Sequence, residues 1–273
     1  MDTQVSELKN KKLFAGPFVG EFGWELFCWQ GYIRYLSRNQ FDHTTVACMS
    51  GHSALYEDFA DEIIEYSPDE YSPNCQFNKG KMTNIPEPPE GTSKYISPNT
   101  TEAPSYTPCN GSFDFKFPQI FTTYKGNRPD VSFDILIHAR SRKHSGQVNS
   151  QDRNMSREKW DEVVNYLTSK NYSVASIGTL DSSMHIKSTK DLRGISLSKL
   201  IDYMSHSKTI LGPSSGPLHL QALCAKPVIV WSGDINNKYR YQTAWNPFGA
   251  PVKYLNGWSN VKIEHIKSAI DDI

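Results

Sequence analysis

The sequence predicts an α/β protein built from two Rossmann-like blocks of parallel sheet. Three observations carry this. Short apolar runs of strand length alternate with longer amphipathic stretches of helical period in two separate parts of the chain. Between those parts lies a long aperiodic segment, 67–129, which holds most of the prolines. Each regular stretch also turns at glycine, serine or proline where a strand passes into a helix, as crossover connections require.

The first block opens with a strand over Lys12–Ala15, a glycine-bearing turn (GPFVGEFG) and a helix from Trp24 to Ser37. A strand over Thr44–Met49, a short helix over Ser53–Ala60 and a strand over Glu62–Tyr66 complete a βαβαβ unit. The aperiodic segment reads as irregular structure with a hairpin, ending in a linker near Gly126–Asp130. The domain boundary is therefore set at 130/131. The second block, 131–273, has a strand over Phe133–His138, a helix over Ser156–Ser169 and a strand over Tyr172–Ile177. After a turn at Asp191–Gly194 come a helix over Ser196–Ser205, a strand over Lys208–Leu211, a helix over Leu218–Cys224 and a strand over Val228–Trp231. Val261–Ile270 is the closing helix. Two such blocks facing each other leave a cleft at the carboxyl ends of their strands, where open α/β sheets take ligands.

Composition narrows the function classes. With 29 basic and 29 acidic residues among 273, no global charge favours nucleic acid. The five cysteines are odd in number and lack paired spacing, the pattern of reduced thiols. No CxxC or HExxH spacing offers a metal set, so no cofactor is expected. Neither GxGxxG nor GxxxxGK[ST] occurs, which disfavours nicotinamide and P-loop enzymes. The polar first residues and the absence of a bilayer-length apolar run give the expectation of a cytoplasmic protein without membrane insertion.

Three places carry chemistry. At Pro213-Ser214-Ser215-Gly216-Pro217 a strand breaks into a helix, and unpaired helix N–H groups with two hydroxyls suit a phosphate. His219 lies one turn in; the same pattern also fits an ordinary corner with a satisfied histidine. From His138 to Lys159 there are six Lys or Arg against Asp152 and Glu158. A cation cluster following a parallel strand suits a phosphate-bearing ligand, and a solvated basic loop is the alternative. In the turn Gly16–Glu25, Glu21 and Glu25 lie among Phe18, Phe22 and Trp24. Rings beside Glu21 would desolvate it and make it a general base, whereas Glu25 in the first helical turn also fits a dipole-complementing carboxylate. His138, His144 and His219 are the competing proton carriers.

GPFVGEFGWEL, ILIHAR and LGPSSGPLHLQALCAKPVIVW resemble the GT-B fold glycosyltransferases, and within them the heptosyltransferase-like group. Gly20-Glu21 stands where that group has Gly-Asp, and Ser214 stands where many members have Asp. The resemblance covers both blocks and leaves the aperiodic segment unmatched. It implies metal-independent, inverting transfer of a sugar from a nucleotide-sugar donor to an acceptor hydroxyl. The diphosphate would lie at Ser214, Ser215, Gly216 and His219, with Arg140 and Lys143 stabilising the leaving charge and the base near Gly178 and Thr179. Glu21, with Glu25 second, would take the proton, and Gly20, Phe22 and Trp24 would line the acceptor side. The turn also resembles phage and viral proteins, so the acceptor is either a glycan or a hydroxymethylated pyrimidine in DNA. For DNA, Lys79, Lys81, Lys94, Lys116, Lys125 and Arg128 would supply the contacts. A non-catalytic nucleotide- or sugar-binding protein on the same fold is the alternative; a phosphoryl-transfer or sugar-isomerising enzyme is a third.

Overall fold

The computed structural model describes residues 10–69, 82–98, 117–142 and 153–272. They form two compact units, Met1–Phe121 and Thr122–Ile273. Each carries an all-parallel sheet.

In the first unit, β1 (Lys12–Phe18), β2 (His43–Met49), β3 (Glu62–Tyr66) and β4 (Lys94–Ile96) take the order β3-β2-β1-β4. β1 is central and buried beyond its first residue, which is why it reads as an unbroken apolar run. Its Gly16 has φ +102°, and a Cβ there would meet the Ala47 carbonyl oxygen at 2.1 Å. Only glycine lets β1 pass β2 at this point. Of the irregular segment in which a hairpin was expected, the described residues show β4, a parallel strand; 70–81 and 99–116 lie outside them. β4 pairs with β1 alone through three residues, too few for a periodic signal inside a proline-rich segment.

The expected helix at 24–37 is a longer helical run. It begins with Phe22–Trp24, widens into a π-turn over Glu25–Trp29, and continues as Gln30–Gln40. The expected helix at 53–60 is instead one 3₁₀ turn, Ser53–Leu55, followed by turns. Its carbonyls are used elsewhere: Leu55 O accepts from Arg34 Nη2 at 3.2 Å and Phe59 O from Ser37 Oγ at 3.2 Å. Arg34 is fully buried and also pairs with Asp58 at 2.8 Å, fixing this loop on the helix.

In the second unit the order is β10-β9-β8-β5-β6-β7. β5 (Ile135–Ile137), β6 (Val174–Ser176), β8 (Thr209–Pro213) and β9 (Val228–Ser232) fall inside or beside the predicted runs. The two-residue β7 (Lys190–Asp191) leads into the expected turn. Helices Arg157–Ser169 and Leu197–His206 start where predicted, because Ser156 and Ser196 accept from Lys159 N and Lys199 N as N-caps. Trp160 and Trp231, ring centroids 5.4 Å apart, centre the core beneath the closing helix Ile263–Asp271. Besides β7, two elements went unpredicted. Ile235–Tyr239 with the π-turn Arg240–Ala244 is polar, and the edge strand β10 (Val252–Asn256) is only partly buried.

Residues 122–129, expected with the first block, belong to the second unit: Tyr124 N donates to Leu223 O and Asn127 N to Asp202 Oδ1. Cys28, Cys48 and Cys224 are buried free thiols; burial foremost pushes Cys48 and Cys224 up to about 12. No described helix is long and apolar enough to cross a membrane.

Candidate functional site

Because every strand of the second sheet runs the same way, the segments leaving β5, β6, β8 and β9 emerge on one rim. These segments contain His138–Arg140, Gly178–Thr179, Ser214–Gly216 and Gly233–Asp234. After β8 the strand breaks into a helix that begins at Gly216, two residues before the expected Leu218, and the N–H groups of Leu218 and His219, expected to be unpaired, donate to Ser215 O. Ser215 is extended (φ −167°, ψ 166°) at the N-cap position of the helix Gly216–Leu223, with no side-chain capping bond, and Pro217 lies in the first turn. Ser214 N donates to Trp231 O at 2.9 Å, and Ser215 N to the Tyr241 hydroxyl at 3.1 Å.

His138, which sequence reasoning named only as a competing proton carrier, ties two of these segments together. Its Nδ1 lies 2.8 Å from Ser215 Oγ. Its Cδ2 lies 2.9 Å from where a Cβ on Gly178 would sit. Burial, then the Arg140 and Arg153 charges, pushes His138 down to about 3, so the ring is neutral at physiological pH. Gly178 has φ +120°, and its Cβ would also stand 2.6 Å from Ser183 Oγ. We expect Gly178→Ala to cost about 1–3 kcal/mol in urea unfolding, with the β6 loop displaced from His138.

The arginines converge here. Arg140 is buried and donates to Asn154 Oδ1. Arg153, absent from the predicted phosphate set, donates to Ser214 O and lies over the Trp258 ring at 4.7 Å. Burial first, then the charges of Arg153 and Arg142, pushes Arg140 down to about 9, still charged at neutral pH. Lys143 and His144 lie outside the described residues. Thr179 turns its hydroxyl into its own loop, 2.6 Å from Asp181 Oδ1. His219 is packed beneath the turn: Tyr241 stacks on it at 4.0 Å and Trp245 meets it edge-on at 4.8 Å. Burial and the Arg240 and Arg153 charges hold it well below the usual histidine range.

In the first unit, Gly20 and Glu21 follow β1, whose C-terminal end lies beside that of β2. Gly20 and Trp24 are buried, Phe22 is half-buried and Glu21 is exposed. The expected enclosure of Glu21 by rings is therefore not formed: Phe18 packs inward on Trp29, at 5.8 Å. Glu25 is the enclosed carboxylate, fully buried, with its oxygens 2.6 Å from His52 Nδ1 and 2.7 Å from the Tyr56 hydroxyl. His52 carried no sequence signal, because the pair is made only when β1 and β2 align. Among the described residues no group of three or more His, Cys, Asp or Glu could hold a metal ion.

No protein-family profile matches the chain, and no curated protein does. Solved structures do match. The glycosyl transferase family 9 protein from Veillonella parvula is 11% identical, with a TM-score of 0.55 over 96% of this chain and 91% of that one. E. coli ADP-heptose lps heptosyltransferase II is 11% identical, with a TM-score of 0.53 over 96% and 98%. The dodecameric iron-containing heptosyltransferase TibC, in complex with ADP-D-β-D-heptose, is 16% identical, with a TM-score of 0.52 over 89% and 61%. The chain thus spans about three fifths of the TibC chain. At these identities the likeness is one of fold: two parallel-sheet α/β units, as in the heptosyltransferases.

Proposed function

We propose that this chain is a glycosyltransferase that takes its sugar from a nucleoside-diphosphate sugar bound on the second unit. The observation that carries the proposal is Arg153 donating to Ser214 O in the turn at the carboxyl rim of a parallel sheet, with the charges of Arg140 and Arg142 beside it. Arginine forks and a helix N-terminus together match a diphosphate. They would stabilise it as it leaves, the work a divalent ion does in metal-dependent transferases, so the reaction is proposed to be metal-independent; direct displacement at the anomeric carbon by the acceptor oxygen would make it inverting. The Gly178–Thr179 loop, reached through His138, would take the base. His219 would support the turn from beneath. Because the fold neighbours include ADP-heptose enzymes, ADP-sugars head the donors to be tried.

The acceptor is proposed to be a glycan hydroxyl. The balanced charge of the chain gives no global attraction to DNA; of the residues invoked for it, Lys94 lies in the first unit, Lys125 and Arg128 in the second, and Lys79, Lys81 and Lys116 outside the described residues. The test is a thermal-shift screen of nucleotide-sugars, followed by transfer assays with glycans. A donor at one hundred times its dissociation constant is expected to stabilise the protein by about 2.7 kcal/mol. No shift with any nucleotide-sugar would refute the reading. A shift without transfer or slow donor hydrolysis would favour the non-catalytic binding protein.

A further inference from the structure

The geometry points to His52, held by Glu25, as the base that takes the acceptor's hydroxyl proton, in place of the exposed Glu21. This rests on the glycosyl-transfer reading. His52 follows β2 at the same end of the sheet where Glu21 follows β1. Its Nδ1 is committed to Glu25 at 2.6 Å, and the Phe22 ring meets its edge at 5.4 Å. The side chain is 21% exposed, and no bond to Nε2 is seen among the described residues. Glu25 is not accessible to substrate itself: it is fully buried and bonded through both oxygens. A buried carboxylate that fixes one ring nitrogen of a partly exposed histidine is how such a ring is oriented as a general base.

The charges around His52 suit that task. Burial opposes its protonation, but Glu25 and then Glu65 outweigh it and raise the ring above its ordinary value. Glu65 reaches the same loop, accepting from Gly51 N at 3.2 Å. The other titratable neighbours are neutral: the Tyr56 hydroxyl donates to Glu25, and Cys48 is pushed up to about 12. In the reaction the acceptor O–H proton passes to Nε2 as its oxygen bonds the anomeric carbon. The carbon–phosphate oxygen bond breaks, with its electron pair leaving on the nucleoside diphosphate. The imidazolium so formed is neutralised by Glu25.

The test compares His52→Gln, His52→Ala and Glu21→Gln with the wild type, measuring donor affinity by calorimetry and transfer across pH. With a working donor and acceptor, His52→Gln is expected to lose about 100-fold or more in kcat. Donor affinity should stay within about threefold, the ascending limb of the pH profile should vanish, and imidazole should restore transfer to His52→Ala. A folded His52→Gln that transfers at the wild-type rate, with Glu21→Gln losing the limb instead, would overturn the assignment. If the variants do not fold, ¹⁵N shifts of the wild-type His52 ring decide: a neutral ring protonated on Nε2 rather than Nδ1 is incompatible with the pair. A wild type that binds no nucleotide-sugar fails differently, removing the glycosyl-transfer reading and with it any role for the pair.

Discussion

Arg140→Met is expected to weaken nucleoside-diphosphate binding by about 2–5 kcal/mol while leaving the unliganded protein nearly as stable as before. The two halves of that expectation have one cause. Arg140 is buried within the field of Arg142 and Arg153, and that field and burial both act against its charge. In the unliganded protein the guanidinium, which donates to Asn154 Oδ1, therefore contributes little net stability, and methionine of similar length fills its place. With a diphosphate bound, the same charge meets its counterion in a dry site, where the attraction is strong. Calorimetric titration with ADP and urea unfolding of the unliganded variant check the two halves separately. Arg157→Ala is the control. It comes from the same basic stretch, but its side chain is exposed and bonds the His185 carbonyl at 3.0 Å, so nucleotide affinity should not change. Equal losses in both variants would mean a diffuse basic surface instead of a built site.

How far the site was legible follows from which signals are local. The Ser214–Gly216 turn could be read because strand, breaker and helix follow one another within a few residues. The Ser156 and Ser196 caps are equally local. Arg140 was legible because it follows β5 directly. Arg153 was only one cation among six in a basic stretch; its selection depends on Ser214 and Trp258, which are distant in sequence. For the same reason Glu21 was preferred to Glu25. Both follow β1, and no sequence pattern reveals that the π-turn over Glu25–Trp29 carries the Glu25 carboxyl inward to His52 and Tyr56. The missed elements failed in the opposite way. β4 and β10 are edge strands without a buried apolar run, so their pairing with β1 and β9 is what makes them strands.

Acidification is expected to destabilise the second unit well before general acid denaturation, and His138 sets the sign. Its folded value is about 3 and that of an exposed histidine about 6.5, so between those limits the unfolded chain binds more protons than the folded one. Stability therefore falls as pH drops through this window. For His138 alone the loss between pH 7 and pH 5 is about 2 kcal/mol, a large share of a typical domain's stability. His219, also held low by burial and by Arg240 and Arg153, acts in the same direction. His52 acts in the opposite one: raised by Glu25, it favours the folded first unit most at low pH and loses that contribution as pH rises through its folded value. Hydrogen exchange read separately for the two units at matched intrinsic rates should show the second losing protection first as pH falls from 7 to 5. In urea unfolding His138→Gln should flatten the acid slope by about 2 kcal/mol over that range. An unchanged slope in His138→Gln would mean that the ring takes its proton as readily in the folded protein as in the unfolded chain, so that burial and the arginine charges do not hold it neutral.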